Sequence, residues 1–178
     1  TGHHSISEHC VITLLLEDIP KILAMILNSL QCYATSEKSA RYTNMVGNSG
    51  IERDLYSKWG DIFFDVIKKE YPDMDLKQVE KLSKENARYM LSVFTPTTMS
   101  YTTSLRQANY ILDWCEKLAK SLALKAIGNT TQFDRTLYPV VVEFYQKLKD
   151  LVYVPELRDN KDREFDFMVH QVDGVMAG

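Results

Sequence analysis

The sequence has no apolar run approaching the roughly 20 residues of a membrane-spanning helix, so no membrane contact is expected. It also shows no charged, then apolar, then small-residue succession of the kind that marks a secretory leader. Cysteine is scarce. Cys10, Cys32 and Cys115 are odd in number and far apart, which gives neither a disulfide framework nor the paired spacing of a zinc site. A reduced, cytoplasmic setting is expected. Seven glycines and five prolines without a repeat exclude collagen-like and low-complexity classes. Positive charge is in deficit as well. Lys and Arg number 21 against 24 Asp and Glu, a net charge of −3, which argues against a broad nucleic-acid surface. A small anionic ligand stays open, but it needs a local cluster of arginines. Self-sufficient catalytic motifs are absent too: there is no Gly-rich phosphate loop, GxSxG elbow, CxxC pair or HExxH.

What is present describes one soluble domain. The 178 residues are 45% hydrophobic and 25% charged, enough for a single core and too few for two comfortable domains, so 1–178 is read as one domain. Aromatics at 11% argue against global disorder. HCVITLLL, from His9 to Leu16, reads as a short buried strand. A helix follows, with Asp18 as cap, Pro20 in its first turn, and an apolar stripe of Ile19, Ile22, Leu23, Ile26, Leu27 and Leu30. Residues 33–50 read as a loop or irregular strand. Leu55, Trp59, Ile62, Phe63, Val66 and Ile67 mark a helix that stops near Pro72, and Asp75 with Gln78 forms a plausible capping box for the next. Residues 93–103 are rich in Thr, Tyr and Val and contain Pro96, which favours a strand. Two more helices carry Leu105 to Leu122 and Val140 to Leu148, and 157–178 reads as a loosely packed tail. The order β-α-β-α-α-β-α-α predicts an α+β fold, a small and mainly antiparallel sheet packed with long helices.

Candidate chemistry lies at element boundaries. In SEKSARY, an extended run places Glu37, Ser39 and Arg41 on one face. An Arg fork, a hydroxyl and backbone N–H groups suit a phosphate monoester; the same residues also fit a solvated loop. Arg88 and Arg106 flank the strand at 93–103, where plain salt bridges are the simpler reading. His3, His4, Glu8 and His9 offer several ligand types within seven residues, but they lack the helical i, i+4 spacing of a specific metal site, and no metal is expected. Cys115 falls on an apolar helical stripe and reads as a buried, inert thiol.

Taken in order, these segments resemble the flavin-dependent thymidylate synthases, also called thymidylate synthase complementing proteins. GHHSISEH before VITLLL is similar to that family's opening His–x–Ser/Thr–x–x–Glu–His segment. SEKSARY is similar to the second half of its signature RHRxxSxxxxSxRY, and NARYMLSVFTPTTMSYTTSLRQANYIL to its AR–x–x–LP…T…NxRSLxxFL stretch. The resemblance spans residues 3–112. It implies conversion of dUMP to dTMP with FAD as cofactor and NADPH and methylenetetrahydrofolate as substrates, a methyltransferase-class reaction in a cytoplasmic homotetramer with sites between subunits. Carried over by position, Glu37, Ser39, Arg41, Arg88 and Arg106 would bind the nucleotide, while His3, Ser5, Glu8 and His9 would lie on the flavin side. No enzyme cysteine need attack the pyrimidine, and no catalytic residue is assigned. The chain departs from the pattern at charged positions. Ser29-Leu30-Gln31 stands where the signature begins RHR, Ser104 stands for the Asn of NxRS, and Cys115 aligns with the family's activating arginine. The expected activity is therefore altered or lost, and the alternative is a catalytically inactive nucleotide-binding or oligomeric partner.

Overall fold

The computed structural model describes residues 4–30, 33–39, 45, 47–125, 128 and 130–158. Among them, eight regular elements occur: β1 (Val11–Pro20), α1 (Lys21–Ser29), β2 (Tyr33–Glu37), α2 (Gly50–Glu70), α3 (Leu76–Ala87), β3 (Pro96–Ser104), α4 (Leu105–Lys125) and α5 (Gln132–Val152). Short 3-10 turns lie at His4–Glu8, Arg88–Met90 and Pro155–Leu157. The order is the one the periodicity predicts, and the fold is α+β. No helix among the described residues is long and apolar enough to cross a membrane.

The three strands run in the order β1-β3-β2. Leu105 N–H donates to the Cys10 carbonyl, while Lys21 N–H donates to that of Thr95, so β1 and β3 are antiparallel. The central strand β3 buries Thr97, Met99, Tyr101 and Thr103 in strict alternation, and its one proline, Pro96, occupies the first position, where no ladder donor is lost. β1 differs from expectation in two ways. It is an edge strand whose residues alternate between exposed and half-buried, rather than a buried one. It also extends to Pro20. Asp18 and Pro20, which look like a helix start, lie inside the strand, and Asp18 has φ of 54°. The ladder overrides the local signals: Lys21 N–H, at the first turn of α1, still bonds across to Thr95.

The described residues gather into two compact units, each strand contributing to both. The first takes residues from Thr1–Leu14, Ser29–Ala34 and Thr102–Gly178. Its core is α4 against α5. Trp114, Tyr110, Ile111, Leu112, Leu118 and Leu122 are buried on α4, and Leu137, Val141, Phe144, Leu148 and Val152 on α5. Burial pushes the Cys115 thiol far above its usual range, which makes it the inert core side chain expected. α5 starts eight residues before the expected apolar stripe, because Thr131 and Asp134 form a reciprocal capping box there and Pro139 is accommodated within the helix. One polar residue sits in this core with its bonding satisfied. Asn109 donates Nδ2 to the carbonyls of Leu105 (2.9 Å) and Val152 (2.8 Å) and accepts from Val154 N–H (2.9 Å), fixing the end of α5 to α4.

The second unit takes residues from Leu15–Asn28 and Thr35–Tyr101. α1 buries Ile22, Leu23, Ala24, Ile26 and Leu27, the stripe read from the sequence. α2 and α3 form an antiparallel pair. Ser49 caps the first by accepting Glu52 N–H, and Asp75 caps the second by accepting Lys77 N–H. The expected apolar face of α2 is less covered than its spacing suggests: Leu55, Ile62 and Val66 are exposed, and Tyr56 is its buried residue.

Of the segment expected to be a loose tail, residues 159–178 lie outside the described residues, but Leu157 is buried and Arg158 is firmly held. Arg158 Nε donates to Asp113 Oδ1 at 2.5 Å, and Nη2 donates to Glu116. Burial alone would lower the Arg158 pKa, but these carboxylates outweigh it and raise the value. Burial raises the Asp113 pKa despite Arg158, while bonds from Lys120 and Arg158 lower that of Glu116. Arg158→Met should destabilise the chain by about 2–3 kcal/mol at neutral pH in a urea titration, since it strands two carboxylates. Glu116, with a lowered folded pKa, contributes stability above its ordinary value of 4.5 and loses it as pH falls. The gap between wild type and variant should therefore narrow below that pH; a gap that holds constant through the acid range would contradict the ion-pair account.

Candidate functional site

The structure brings two sets of predicted site residues together, one in each unit. In the first unit, the turn His4–Glu8 packs against α4, and Glu8 reaches the start of that helix. Glu8 Oε2 accepts from Ser104 Oγ at 2.7 Å, and Glu8 Oε1 lies 3.2 Å from Arg106 Nη1. Ser104 in turn accepts Gln107 N–H at 3.1 Å, so it caps α4. On its inner edge Arg106 Nε donates to Tyr110 Oη at 2.5 Å, one turn along the helix, and Tyr110 is wholly buried. The Tyr110 bond is the main cause of the raised Arg106 pKa; burial opposes it, and the Glu8 charge adds to it. Ser5 and His9 are exposed beside this cluster.

In the second unit, the end of β2 carries Glu37. Its Oε1 accepts from Lys21 Nζ at 2.5 Å and from Thr97 Oγ1 at 3.0 Å. Pairing continues one residue past the strand, with Lys38 N–H donating to the Thr98 carbonyl, and Ser39 beyond it is exposed. Arg88 follows α3, 3.8 Å from Glu85 and 5.4 Å from the Tyr89 ring centroid. His3 and Arg41 lie outside the described residues.

Within one chain the residues of the two expected sets are distributed over both units. Arg106, placed with the nucleotide, shares its cluster with Glu8, placed with the flavin. Glu37 and Ser39 share the other unit with Arg88. Sequence reasoning missed Tyr110, Ser104 as a cap, and Lys21 and Thr97 as partners of Glu37. Two of these were readable: Ser104-x-x-Gln107 has capping-box spacing, and Tyr110 lies four residues after Arg106. The Lys21–Glu37 and Thr97–Glu37 contacts depend on strand pairing and carry no local signal.

A third feature is an open cavity of about 450 Å³ between α2 and α3, with Gly60 and Ala87 leaving space and Arg53, Lys84, Asp61 and Glu80 around it. Its four charges cancel, which makes it a poor phosphate site. Among the described residues no group of three or more His, Cys, Asp or Glu is arranged to hold a metal ion.

Comparison with known proteins places the chain. The family model described as thymidylate synthase complementing protein matches residues 1–119. No curated protein matches the sequence. Among solved structures, thymidylate synthase X from Helicobacter pylori, crystallised with FAD and dUMP, is 13% identical; the alignment covers 89% of this chain and 77% of that one, with a TM-score of 0.41. The UMP/dUMP methylase PolB from Streptomyces cacaoi, bound with 5-Br UMP, is 19% identical over 62% of this chain and 58% of that one, with a TM-score of 0.38. The family match alone takes in both clusters, from the Glu8 turn to the Arg106 helix, and by it the chain belongs to the thymidylate synthase complementing protein family.

Proposed function

We propose that this chain binds a pyrimidine nucleoside monophosphate of the dUMP type, as a divergent relative of the flavin-dependent thymidylate synthases in which methyl transfer is weakened. The observation that carries this reading is the family match across residues 1–119. The local chemistry supports it: Arg106 and Ser104 form a donor set suited to anionic oxygens. Ser39 and Arg41 are assigned to the phosphate, Glu37 to the side between nucleotide and flavin, and Arg88 to a nucleotide held by another subunit. The working assembly in this reading is a cytoplasmic homotetramer.

FAD is the cofactor the family implies, with NADPH and methylenetetrahydrofolate as the other substrates. The described residues on the flavin side do not fit it by themselves. Ser5 and His9 are exposed, Glu8 is acidic, and the adjacent guanidinium is already matched by that carboxylate. A diphosphate needs cations that this set lacks.

A second reading, a nucleotide-binding subunit without catalysis, is favoured by one observation. Leu30 and Cys115, which stand where the family carries charged groups, are both core side chains, 2% and 0% exposed. Neither position presents a polar group to a ligand. Loss of one electrostatic activator typically costs about 10²–10³ in rate.

Two measurements test these readings. Calorimetric titration of the full chain with dUMP should show saturable binding, and Arg41→Ala should weaken it by about 1.5–3 kcal/mol, the value of a hydrogen bond to a charged group. Absence of heat with dUMP overturns the nucleotide reading. Conversion of dUMP to dTMP, assayed with FAD, NADPH and methylenetetrahydrofolate, then separates the two alternatives. Slow turnover, with flavin absorbance retained by the purified protein, supports the weakened enzyme. Binding without turnover or flavin uptake supports the inactive subunit.

A further inference from the structure

We propose that the open face of α2 is a self-complementary docking surface, which takes the α2 of a second copy of this chain, antiparallel, about a two-fold axis at the middle of the helix. This gives the assembly named above a specific surface, and it does not depend on nucleotide binding.

α2 carries two apolar faces. One is turned to α3: Tyr56, Gly60 and Phe64 line the space between the two helices together with Ser83 and Ala87. The other is open. Leu55, Ile62 and Val66 are 39%, 37% and 51% exposed, and Trp59 lies among them with its ring 5.6 Å from that of Phe63. Single exposed apolar residues are ordinary on a protein surface. These four form a line instead. Residues 55, 59, 62 and 66 are spaced four, three and four apart, the repeat that lays one helix along another in a narrow seam.

Charge says what covers this face. Lys58 and Asp65 flank the stripe on one side, and Asp54 and Lys69 stand one turn further toward the two ends. Among the described residues none of these four has an ion-pair partner within the chain, although Asp54 and Lys58, and Asp65 and Lys69, have the i, i+4 spacing for one. In an antiparallel pair, residues equidistant from the middle of the helix meet. Leu55 then packs on the partner's Val66 and Trp59 on the partner's Ile62, while Lys58 faces the partner's Asp65 and Asp54 faces the partner's Lys69. The two-fold axis repeats each contact, so both charge pairs form twice. A parallel alignment sets each charge level with its own copy. An unrelated partner would have to reproduce this order of charges, which a second copy already carries. From Leu55 to Lys69 the seam is about 20 Å long. It covers less than the roughly 800 Å² per partner of a standard interface, so α2 alone gives a weak, concentration-dependent dimer.

The test is sedimentation equilibrium of the full chain as wild type, Lys58→Asp, Asp65→Lys, an equimolar mixture of those two, and Lys68→Asp. Lys68 is exposed on the same helix, away from the stripe. Wild type should self-associate reversibly. Lys58→Asp sets carboxylates against each other across the seam and Asp65→Lys does the same with ammonium groups, so each alone should associate about tenfold more weakly. In the mixture each chain supplies the charge the other lacks, and a mixed dimer should form with wild-type affinity. That recovery separates a mismatched surface from a misfolded variant. Lys68→Asp should match wild type. A wild type that stays monomeric up to roughly 1 mM overturns the inference and removes the homotetramer with it. Assembly that the single reversals leave unchanged, that Lys68→Asp weakens equally, or that the mixture fails to restore, overturns the α2 seam and leaves the assembly standing. In every case the nucleotide reading is decided by its own titration with dUMP.

Discussion

Three described cations at the candidate sites are each matched by a carboxylate of the same chain. Arg106 faces Glu8, Lys21 faces Glu37, and Arg88 faces Glu85, in a sequence whose net charge is −3. An anionic ligand at any of these three must therefore compete with its internal partner. The number of carboxylate partners sets one cation apart from these pairs. Arg158, 17% exposed and bound to both Asp113 and Glu116, is structural. The half-exposed pairs around Arg106, Lys21 and Arg88 are weak, and a ligand can open them without disturbing a core.

The rest of the first unit makes that competition specific rather than general. The α4–α5 core fixes Tyr110, Tyr110 fixes the inner edge of Arg106, and the Ser104 cap sets where α4 begins. Asn109 and Arg158 close the far side of the same helix pair, tying the end of α5 and the residues after it back to α4. The outer nitrogens of Arg106 are thus presented from a rigid helix, while the competing carboxylate comes from a short turn. In the second unit Glu37 has a comparable setting at the end of β2, with Thr97 of the central strand as its fixed partner and the longer Lys21 side chain as its adaptable one.

Much of the fold was legible in the sequence because apolar spacing is a local property. The stripes of α1 and α4 and the Thr-rich alternation of β3 emerge where they were read. The failures have physical causes. Asp18 and Pro20 carry the local marks of a helix start, but pairing with β3 keeps them in a strand. The α2 stripe has helical spacing, yet much of it is exposed, because spacing reports a face and not what covers it. The site was legible as residue types and less so as contacts. Glu8 and Ser104 are 96 residues apart, and only the folded chain brings them together. Leu30 and Cys115 stand where the resemblance implies charged groups; that both side chains are used in the core became clear only from their burial.

The proposed function stands or falls on whether this chain receives the phosphate of a pyrimidine nucleotide. The most direct measurement is the phosphorus NMR resonance of dUMP titrated with the full chain and with Arg41→Gln, at the residue proposed to hold the phosphate. A saturable shift with wild type that is strongly reduced in Arg41→Gln is the predicted result. A resonance that stays unshifted at excess protein, or that shifts equally with both proteins, contradicts the account.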